Sequence, residues 1–190
     1  MSDGSIKAGS SVKLIFNYDL PSLSEEQINA YYWNGMKWIC LGGQVVAGRL
    51  EVNATHFTKF SVMADTSLPV LSDIRSHWAY SDIKRLVGMK VISGYPDRTF
   101  KPENNVTRAE FAVLMAKALG WEAGDRAPDF TDEAEIPAWA RGYVAAAVEK
   151  GVINGYEDRT FRAGQQINRS EIAVMLMRAL GKQGEAAEAK

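Results

Sequence analysis

The sequence predicts a multidomain α + β protein, in which an N-terminal all-β, sandwich-like domain precedes an all-α region of helical repeats. Two observations predict this class. Apolar and polar residues alternate near the N-terminus, whereas residues 78–120 match residues 139–181 without a gap. The match has 18 identities in 43 aligned positions, which indicates an internal duplication. We expect residues 66–70 to link the two parts.

Residues 1–65 are predicted to form the small β-sandwich domain, and their abrupt start suggests that the domain is truncated at its front. Every second residue from Val12 to Tyr18 is apolar, as on a half-buried strand. Asn34-Gly35 lies between two apolar runs, which is the strongest short signal for a β-hairpin. About five strands are expected, with the others at 30–33, 37–41, 50–53 and 57–62.

Each copy of the duplication is predicted to form a helix, a loop and a second helix. The first helix starts near Trp78 or Trp139, and an apolar stripe at helical spacing follows each tryptophan. Gly151 ends this helix in the second copy, while Lys90 stands at the same place in the first. The second helix of the first copy is expected from about Arg108 to Leu119.

The second helices begin with capping boxes, Thr107-x-x-Glu110 and Asn168-x-x-Glu171. Helix initiation does not explain Arg108 and Arg169, because a cation in the first turn opposes the helix dipole. A guanidinium beside free helix N–H groups suits a carboxylate ligand. The alternative is that each arginine pairs with an acid such as Asp97 or Asp158, and the residues alone leave the two interpretations about even.

Composition excludes several classes of protein. The 22 Lys+Arg balance 23 Asp+Glu, so we expect no nucleic-acid partner. No run approaches the roughly 18 apolar residues that span a bilayer, and no membrane insertion is expected. Cys40 is the only cysteine, which rules out an internal disulfide and a thiolate zinc cluster. With only two histidines and no paired carboxylates or phosphate loop, the chain is predicted not to be an enzyme and to need no metal or cofactor.

The copies resemble the S-layer homology (SLH) repeat of bacterial cell-surface proteins. The residues that carry the resemblance are Ser72-Asp73-Ile74, His77-Trp78-Ala79, Val91–Pro102 and Thr107–Phe111. It places a first SLH repeat at 71–120, a linker at 121–129, a second repeat at 130–181 and a polar tail at 182–190. Two of the usual three repeats are present, which implies an incomplete pseudo-threefold bundle.

The resemblance implies a non-catalytic anchor that binds an anionic, pyruvylated secondary cell-wall polysaccharide. It also implies an extracellular location at the cell wall or S-layer of a Gram-positive cell, with a signal peptide absent from this fragment. Other SLH repeats, of the same or a neighbouring chain, are expected partners. The alternatives are a self-assembly module of an S-layer and the anchor region of a larger extracellular carbohydrate-active enzyme.

Several residues are candidates for the glycan site that the resemblance implies. Trp78 and Trp139 are expected to pack in the core, and the alternative is that they stack on a sugar. Arg98 and Arg159 replace the glycine of the Asp-Gly-Thr that is usual in the family, and they either strain the turn or add a cation to the site. The full ligand set is Arg108, Arg169, Tyr95, Tyr156, Trp78, Trp139, Arg98 and Arg159. Asp97, Asp158, Gly94 and Gly155 are predicted to be turn residues.

A site of self-cleavage in the β-domain is a further hypothesis. The segment around His56-Phe57-Thr58 is similar to the end of self-cleaving β-sandwich modules. In that chemistry His56 deprotonates Thr58, whose hydroxyl attacks the preceding carbonyl and cleaves the Phe57–Thr58 bond. The stronger alternative is a strand on which His56 and Thr58 share one face as a hydrogen-bonded pair.

Overall fold

The computed structural model describes residues 11–20 and 22–188. The chain divides into two compact units, Met1–Pro102 and Glu103–Lys190. The first unit contains the β-domain and the beginning of the first repeat. The second unit contains the rest of that repeat and the whole of the second.

Six strands form the β-domain in the described part of the chain: β1 (Val12–Asn17), β2 (Ile28–Trp33), β3 (Trp38–Gly42), β4 (Gln44–Val46), β5 (Arg49–Ala54) and β6 (Phe60–Ala64). They make two antiparallel sheets, in the orders β1-β5-β4 and β3-β2-β6. Ile28 and Ala30 of one sheet form a buried cluster with Leu50 and Val52 of the other. The two-sheet, sandwich-like prediction is therefore confirmed.

The structure differs from the predicted strands at two places. Strand β4 was not expected, because it has three residues and its hairpin turn, Ala47-Gly48, places a non-glycine residue at a φ of 50°. The predicted strand at 57–62 begins only at Phe60. Residues 55–59 form an irregular loop, so the interpretation of His56 and Thr58 as a pair on a strand is wrong.

Helix α1 (Tyr80–Gly88) packs on β3. The approach is close: a Cβ on Gly42 would lie 2.9 Å from Cβ of Arg85. Lys84 is 1% exposed, and its Nζ donates to the Gly43 carbonyl at 2.9 Å. Burial lowers the pKa of Lys84 to about 8, against the opposing influence of Glu26. At neutral pH, Lys84 is therefore protonated in most molecules.

The remaining helices are α2 (Arg108–Ala118), α3 (Ala138–Glu149) and α4 (Arg169–Glu188). The predicted capping box of α2 is present, with Glu110 N–H donating to Thr107 Oγ1 at 3.2 Å. Its counterpart at α4 is also present, with Glu171 N–H donating to Asn168 Oδ1 at 3.0 Å. Helix α4 continues through Gly181 into the segment that we expected to be a polar tail, because the segment is rich in good helix formers such as Ala, Glu and Lys.

Each repeat contains the same pattern of hydrogen bonds in its loop. Asp73 accepts from the N–H groups of Phe100 and Lys101 at 2.8 and 2.7 Å. Asp132, its counterpart, accepts from Phe161 and Arg162 at 2.7 Å each. The duplication seen in the sequence is thus a duplication of backbone geometry.

Arg98 and Arg159 both adopt a φ of 62°, in the left-handed region that favours glycine. The predicted strain at the Asp-Arg-Thr turns is therefore present. Asp97 and Asp158 hold these turns by accepting from the backbone and hydroxyl of the threonine two residues later. Gly94 is required for space, because a Cβ there would lie 2.3 Å from Leu71 Cδ2.

Two helical glycines should respond in opposite directions to substitution by alanine. A Cβ on Gly88 would lie 2.6 Å from Sγ of the buried Cys40, whereas nothing lies within 4 Å of the equivalent position on Gly181. We expect Gly88→Ala to lower the free energy of unfolding by about 1–2 kcal/mol through overpacking. Gly181→Ala should raise it by about 0.5–1 kcal/mol through helix propensity. Urea denaturation of both variants measures this, and a stabilised Gly88→Ala protein would contradict the packing of α1.

Candidate functional site

The second unit joins the two repeats through the N-terminus of α2. The first N–H groups of a helix have no partner within it. Here Arg108 N–H donates to the Gln165 carbonyl at 2.8 Å, and Ala109 N–H donates to the Ala163 carbonyl at 3.1 Å. The loop of the second repeat therefore completes the start of a helix in the first.

Arg108 is the centre of the site, and it is only 5% exposed. Its Nη1 donates to Glu171 Oε1 at 3.2 Å, and its Nη2 donates to the Asn154 carbonyl at 3.1 Å. Its Nε is buried without a hydrogen-bond partner among the described residues. Arg108 thus pairs with an acid, as one interpretation of the sequence required. The acid is Glu171 of the next repeat, and neither Asp97 nor Asp158 is its partner.

Tyr156 and Glu171 hold the guanidinium of Arg108 in place. The Tyr156 ring centroid lies 4.8 Å from Cζ of Arg108 and 4.0 Å from Cζ of Arg162, which are cation–π distances. The Tyr156 hydroxyl donates to Glu171 Oε1. Partial burial opposes ionisation of Glu171, but the bonds from Asn168 N–H and Tyr156, together with Arg108, outweigh it and lower its pKa. Glu171 is therefore a carboxylate at neutral pH.

A cavity of about 250 Å³ opens beside this cluster. Cationic Arg108 and Arg178, anionic Glu171 and the hydroxyl-bearing Ser170 supply its polar groups, while Val174 and Met175 belong to its apolar wall. Ser170 lies in the first turn of α4, where helix N–H groups attract anions. The cavity therefore combines two arginines and a helix N-terminus with an apolar surface, which suits an organic anion.

Only some of the predicted ligand residues meet in this cavity: Arg108 and Tyr156, with the predicted motif residues Glu171 and Gly155. Arg169, the counterpart of Arg108, is exposed and makes no side-chain hydrogen bond or ion pair among the described residues. Arg159 pairs with Asp129 at 3.0 Å. Tyr95 stacks with Lys101, whose Nζ lies 4.5 Å from the ring centroid, and Arg98 is exposed.

The expectation that Trp78 and Trp139 pack in the core is wrong, because they are 87% and 54% exposed. Trp78 precedes the first residue of α1, so the helical spacing does not turn it inward. Trp139 lies next to Ala140, which is fully buried, and neighbouring positions on a helix point about 100° apart. Both tryptophans remain available to a ligand.

His56 and Thr58 are not hydrogen-bonded to each other in the described structure. The Thr58 hydroxyl donates to the Trp33 carbonyl at 2.8 Å, and the His56 ring packs edge-on against Tyr32 at 4.7 Å. In the described structure, His56 is therefore not placed to take the Thr58 proton.

Asn154, Ser170 and Arg178 line the cavity but were missed by sequence reasoning. Their signal was weak, because Ser170 and Asn154 stand where the first repeat has Ala109 and Ser93. Arg178 aligns with Lys117, so a positive charge at the same position of both copies was the one signal for Arg178 in the sequence.

In the second unit, α2 of the first repeat packs on the second repeat beside an arginine-lined cavity, which defines a helical-repeat module. Residues 71–112 and 129–173 match the model of the S-layer homology domain. These two segments are therefore S-layer homology repeats.

Relatives of known annotation support the same assignment. The chain is 29% identical to an amylopullulanase of Thermoanaerobacterium thermosulfurigenes over 80% of this chain and 8% of that protein. It is 36% identical to a cellulosome-anchoring protein of Acetivibrio thermocellus over 55% of this chain and 24% of that protein. It is also 36% identical to S-layer protein EA1 of Bacillus anthracis, over 54% of this chain and 12% of that protein. The chain thus spans less than a quarter of each of these relatives.

The match with the amylopullulanase covers 157 residues and is longer than residues 71–190, so part of it falls on the β-domain. Among the described residues, no helix has the length and apolar character needed to cross a membrane. Nor does this part of the chain bring three or more His, Cys, Asp or Glu side chains together in a group that could hold a metal ion.

The equivalent arginines of the two repeats should differ in their effect on stability. Arg108→Met leaves Glu171 without its cation in a largely buried site, so we expect a loss of about 3 kcal/mol in the free energy of unfolding. Arg169→Met removes an exposed, unpaired side chain and should change it by less than about 0.5 kcal/mol. Urea denaturation of both variants tests this, and equal effects would show that the Arg108 pair is not structural.

Proposed function

We propose that this chain anchors a surface protein to the bacterial cell wall by binding an anionic, pyruvylated secondary cell-wall polysaccharide. The observation that carries the proposal is the cavity beside Arg108. Two arginines and the start of α4 line it, and Glu171 is the one carboxylate among its lining residues. A pyruvate ketal has a carboxylate and a methyl group. The cations suit the first, and the side chains of Val174 and Met175 suit the second.

The names of the relatives support anchoring as the role of these repeats. One relative is called a cellulosome-anchoring protein and another an S-layer protein, whereas the amylopullulanase is an enzyme by name. The part common to such different proteins fits attachment better than catalysis. The proposed location is therefore the cell surface, in the wall or S-layer of a Gram-positive cell.

The other predicted ligand residues fit this proposal in different ways. Trp78, Trp139 and Arg98 are exposed and can reach a polymer outside the cavity. Tyr156 is covered by guanidinium groups, so we propose that it positions Arg108.

Arg178→Met tests the cavity without removing the buried ion pair. Arg178 is exposed, and its single side-chain hydrogen bond among the described residues, to the Val152 carbonyl, is 3.4 Å long. We expect at least a tenfold loss of affinity for purified wall polysaccharide, because a charge-assisted contact contributes about 1.5–3 kcal/mol. The matched control is Arg126→Met, which removes an exposed arginine elsewhere in the second unit. Calorimetric titration measures both, and unchanged affinity in Arg178→Met sinks the cavity as the glycan site.

A second proposal is that α4 receives another S-layer homology repeat. Ala112, Val113, Met115 and Ala116 of α2 are buried, and the first three join the cluster that contains α3. The aligned positions of α4 are exposed, with Leu176 at 45% and Met177 at 69%.

The backbone N–H groups at the start of α4 and the side chain of Arg169 support the same proposal. Arg108 and Ala109 donate their N–H groups to the second repeat, whereas Arg169 and Ser170 make no such bonds among the described residues. Helix α4 therefore repeats the apolar face, the N–H groups and the arginine with which α2 binds its neighbour. We propose that a repeat of the same or a neighbouring chain completes it.

Association between chains through this face is open to a direct test. We expect the chain to associate as its concentration rises and Met177→Lys to remain monomeric, because a lysine there would bury an unpaired charge. Met89→Lys is the matched control, since Met89 is an exposed methionine beyond the end of α1. Light scattering over a concentration series gives the masses. A parent chain that is monomeric throughout argues against a neighbouring chain as the partner.

A further inference from the structure

One end of the β-domain carries exposed aromatic and basic side chains that no role described so far uses. We call this surface the aromatic tip, and it consists of Trp33, Met36, Lys37, Trp38, Phe57 and Lys59. Met36 is 84% exposed, Phe57 62% and Trp38 38%. Large apolar side chains clustered at this level of exposure mark an interaction surface.

Two connections meet at the aromatic tip. One is the β2–β3 turn, which includes Met36 and Lys37, and the other is the loop at 55–59. Trp33 N–H donates to the Lys59 carbonyl at 3.0 Å, and the Thr58 hydroxyl donates to the Trp33 carbonyl at 2.8 Å. Phe57 is thereby held beside the hairpin, although it lies about twenty residues further along the chain.

Two of the rings pack against each other on a hairpin that is held by side-chain hydrogen bonds. Trp33 and Trp38 face each other across β2 and β3, with ring centroids 5.6 Å apart in an edge-to-face arrangement. The Asn34 side chain fixes the turn by accepting from Met36 N–H at 3.0 Å and Lys37 N–H at 2.8 Å. A ligand that stacks on a ring already fixed in this way loses little further conformational entropy.

The charge of the aromatic tip is positive. Residues 28–50 and 52–64 contain no Asp or Glu. Lys37 and Lys59 are exposed and make no ion pair among the described residues. The carboxylates of Glu26 and Asp65 adjoin the other ends of β2 and β6, where they pair with Arg75 and Lys90.

We propose that the aromatic tip is a second binding surface for an acidic polysaccharide, separate from the cavity in the second unit. Indole and phenyl faces pack against the C–H groups of pyranose rings, and the two lysines attract the anionic groups of the polymer. The choice of an acidic glycan as the ligand rests on the proposed anchoring function, whereas the site itself rests on the geometry of the tip. Two sites on one chain raise the retention of a polymer through effective concentration.

The test uses the whole chain and the anionic polysaccharide purified from the wall of a bacterium with an S-layer. The double variant Trp38→Ala/Phe57→Ala removes two rings, and Phe57→Ala alone removes the ring least involved in packing. The matched control is Ile15→Ala/Val46→Ala, which removes two apolar side chains of similar exposure from β1 and β4. Circular dichroism melts confirm that each protein is folded before titration.

We expect Trp38→Ala/Phe57→Ala to weaken polysaccharide binding about tenfold, Phe57→Ala about threefold and the control not at all. Lys37→Gln/Lys59→Gln should weaken binding at low salt and have little effect at high salt. Unchanged binding in both ring variants overturns the proposal. If Arg178→Met still weakens binding at least tenfold in that case, anchoring through the cavity stands and only the tip is wrong.

Vesicles of phosphatidylcholine with phosphatidylglycerol test the alternative that the aromatic tip binds lipid headgroups. The parent chain should not sediment with them. Sedimentation that is lost in Trp38→Ala/Phe57→Ala, with polysaccharide binding unchanged, would assign the aromatic tip to lipid headgroups and contradict the proposal.

Discussion

The first turn of α2 imposes the constraint on which the described geometry of the second unit depends. Its N–H groups cannot be satisfied within the helix, and the loop at Ala163 and Gln165 supplies carbonyls for two of them. That loop also carries Phe161, which is fully buried beside Arg108, with its ring centroid 5.2 Å from the guanidinium Cζ. The requirement to complete one helix therefore brings the loop of the next repeat against it, and Arg108 enters the cavity as a consequence.

Arg108 has two roles: its guanidinium joins the two repeats, and it also lines the cavity that we propose as the binding site. Its guanidinium is buried against Tyr156 and bound to Glu171 and Asn154, so its position is fixed before any ligand arrives. A fixed cation costs less reorganisation on binding than a flexible surface lysine does. Arg169 holds the aligned position in the second repeat, between Asn168 and Ser170, and its side chain is exposed.

The sequence predicted features that depend on local spacing, and it failed where a distant neighbour decides. The Asn34-Gly35 hairpin and both capping boxes follow from a few adjacent residues, and the structure contains them. The repeats also have the predicted helix-loop-helix order. The exposure of Trp139 and the pairing of Arg108 with Glu171 depend on which face meets another element. Alignment of the two copies gives Arg108 and Arg169 the same prediction, although one is buried and the other exposed.

The first helices of the two repeats show why such equivalent positions diverge. Helix α3 packs with Gly142 and Ala145 against the small residues Ala123 and Gly124, which precede it in the chain. The aligned positions in α1, Ser81 and Lys84, lie on the same face, and Lys84 reaches the Gly43 carbonyl next to Gly42.

A Cβ on Gly124 would lie 3.7 Å from Ala145 Cβ, and one on Gly42 would lie 2.9 Å from Arg85 Cβ. On this side, each first helix thus lies against a segment that contains glycine and that precedes the helix in the chain. The β-domain supplies it for α1 through a glycine pair at the end of β3.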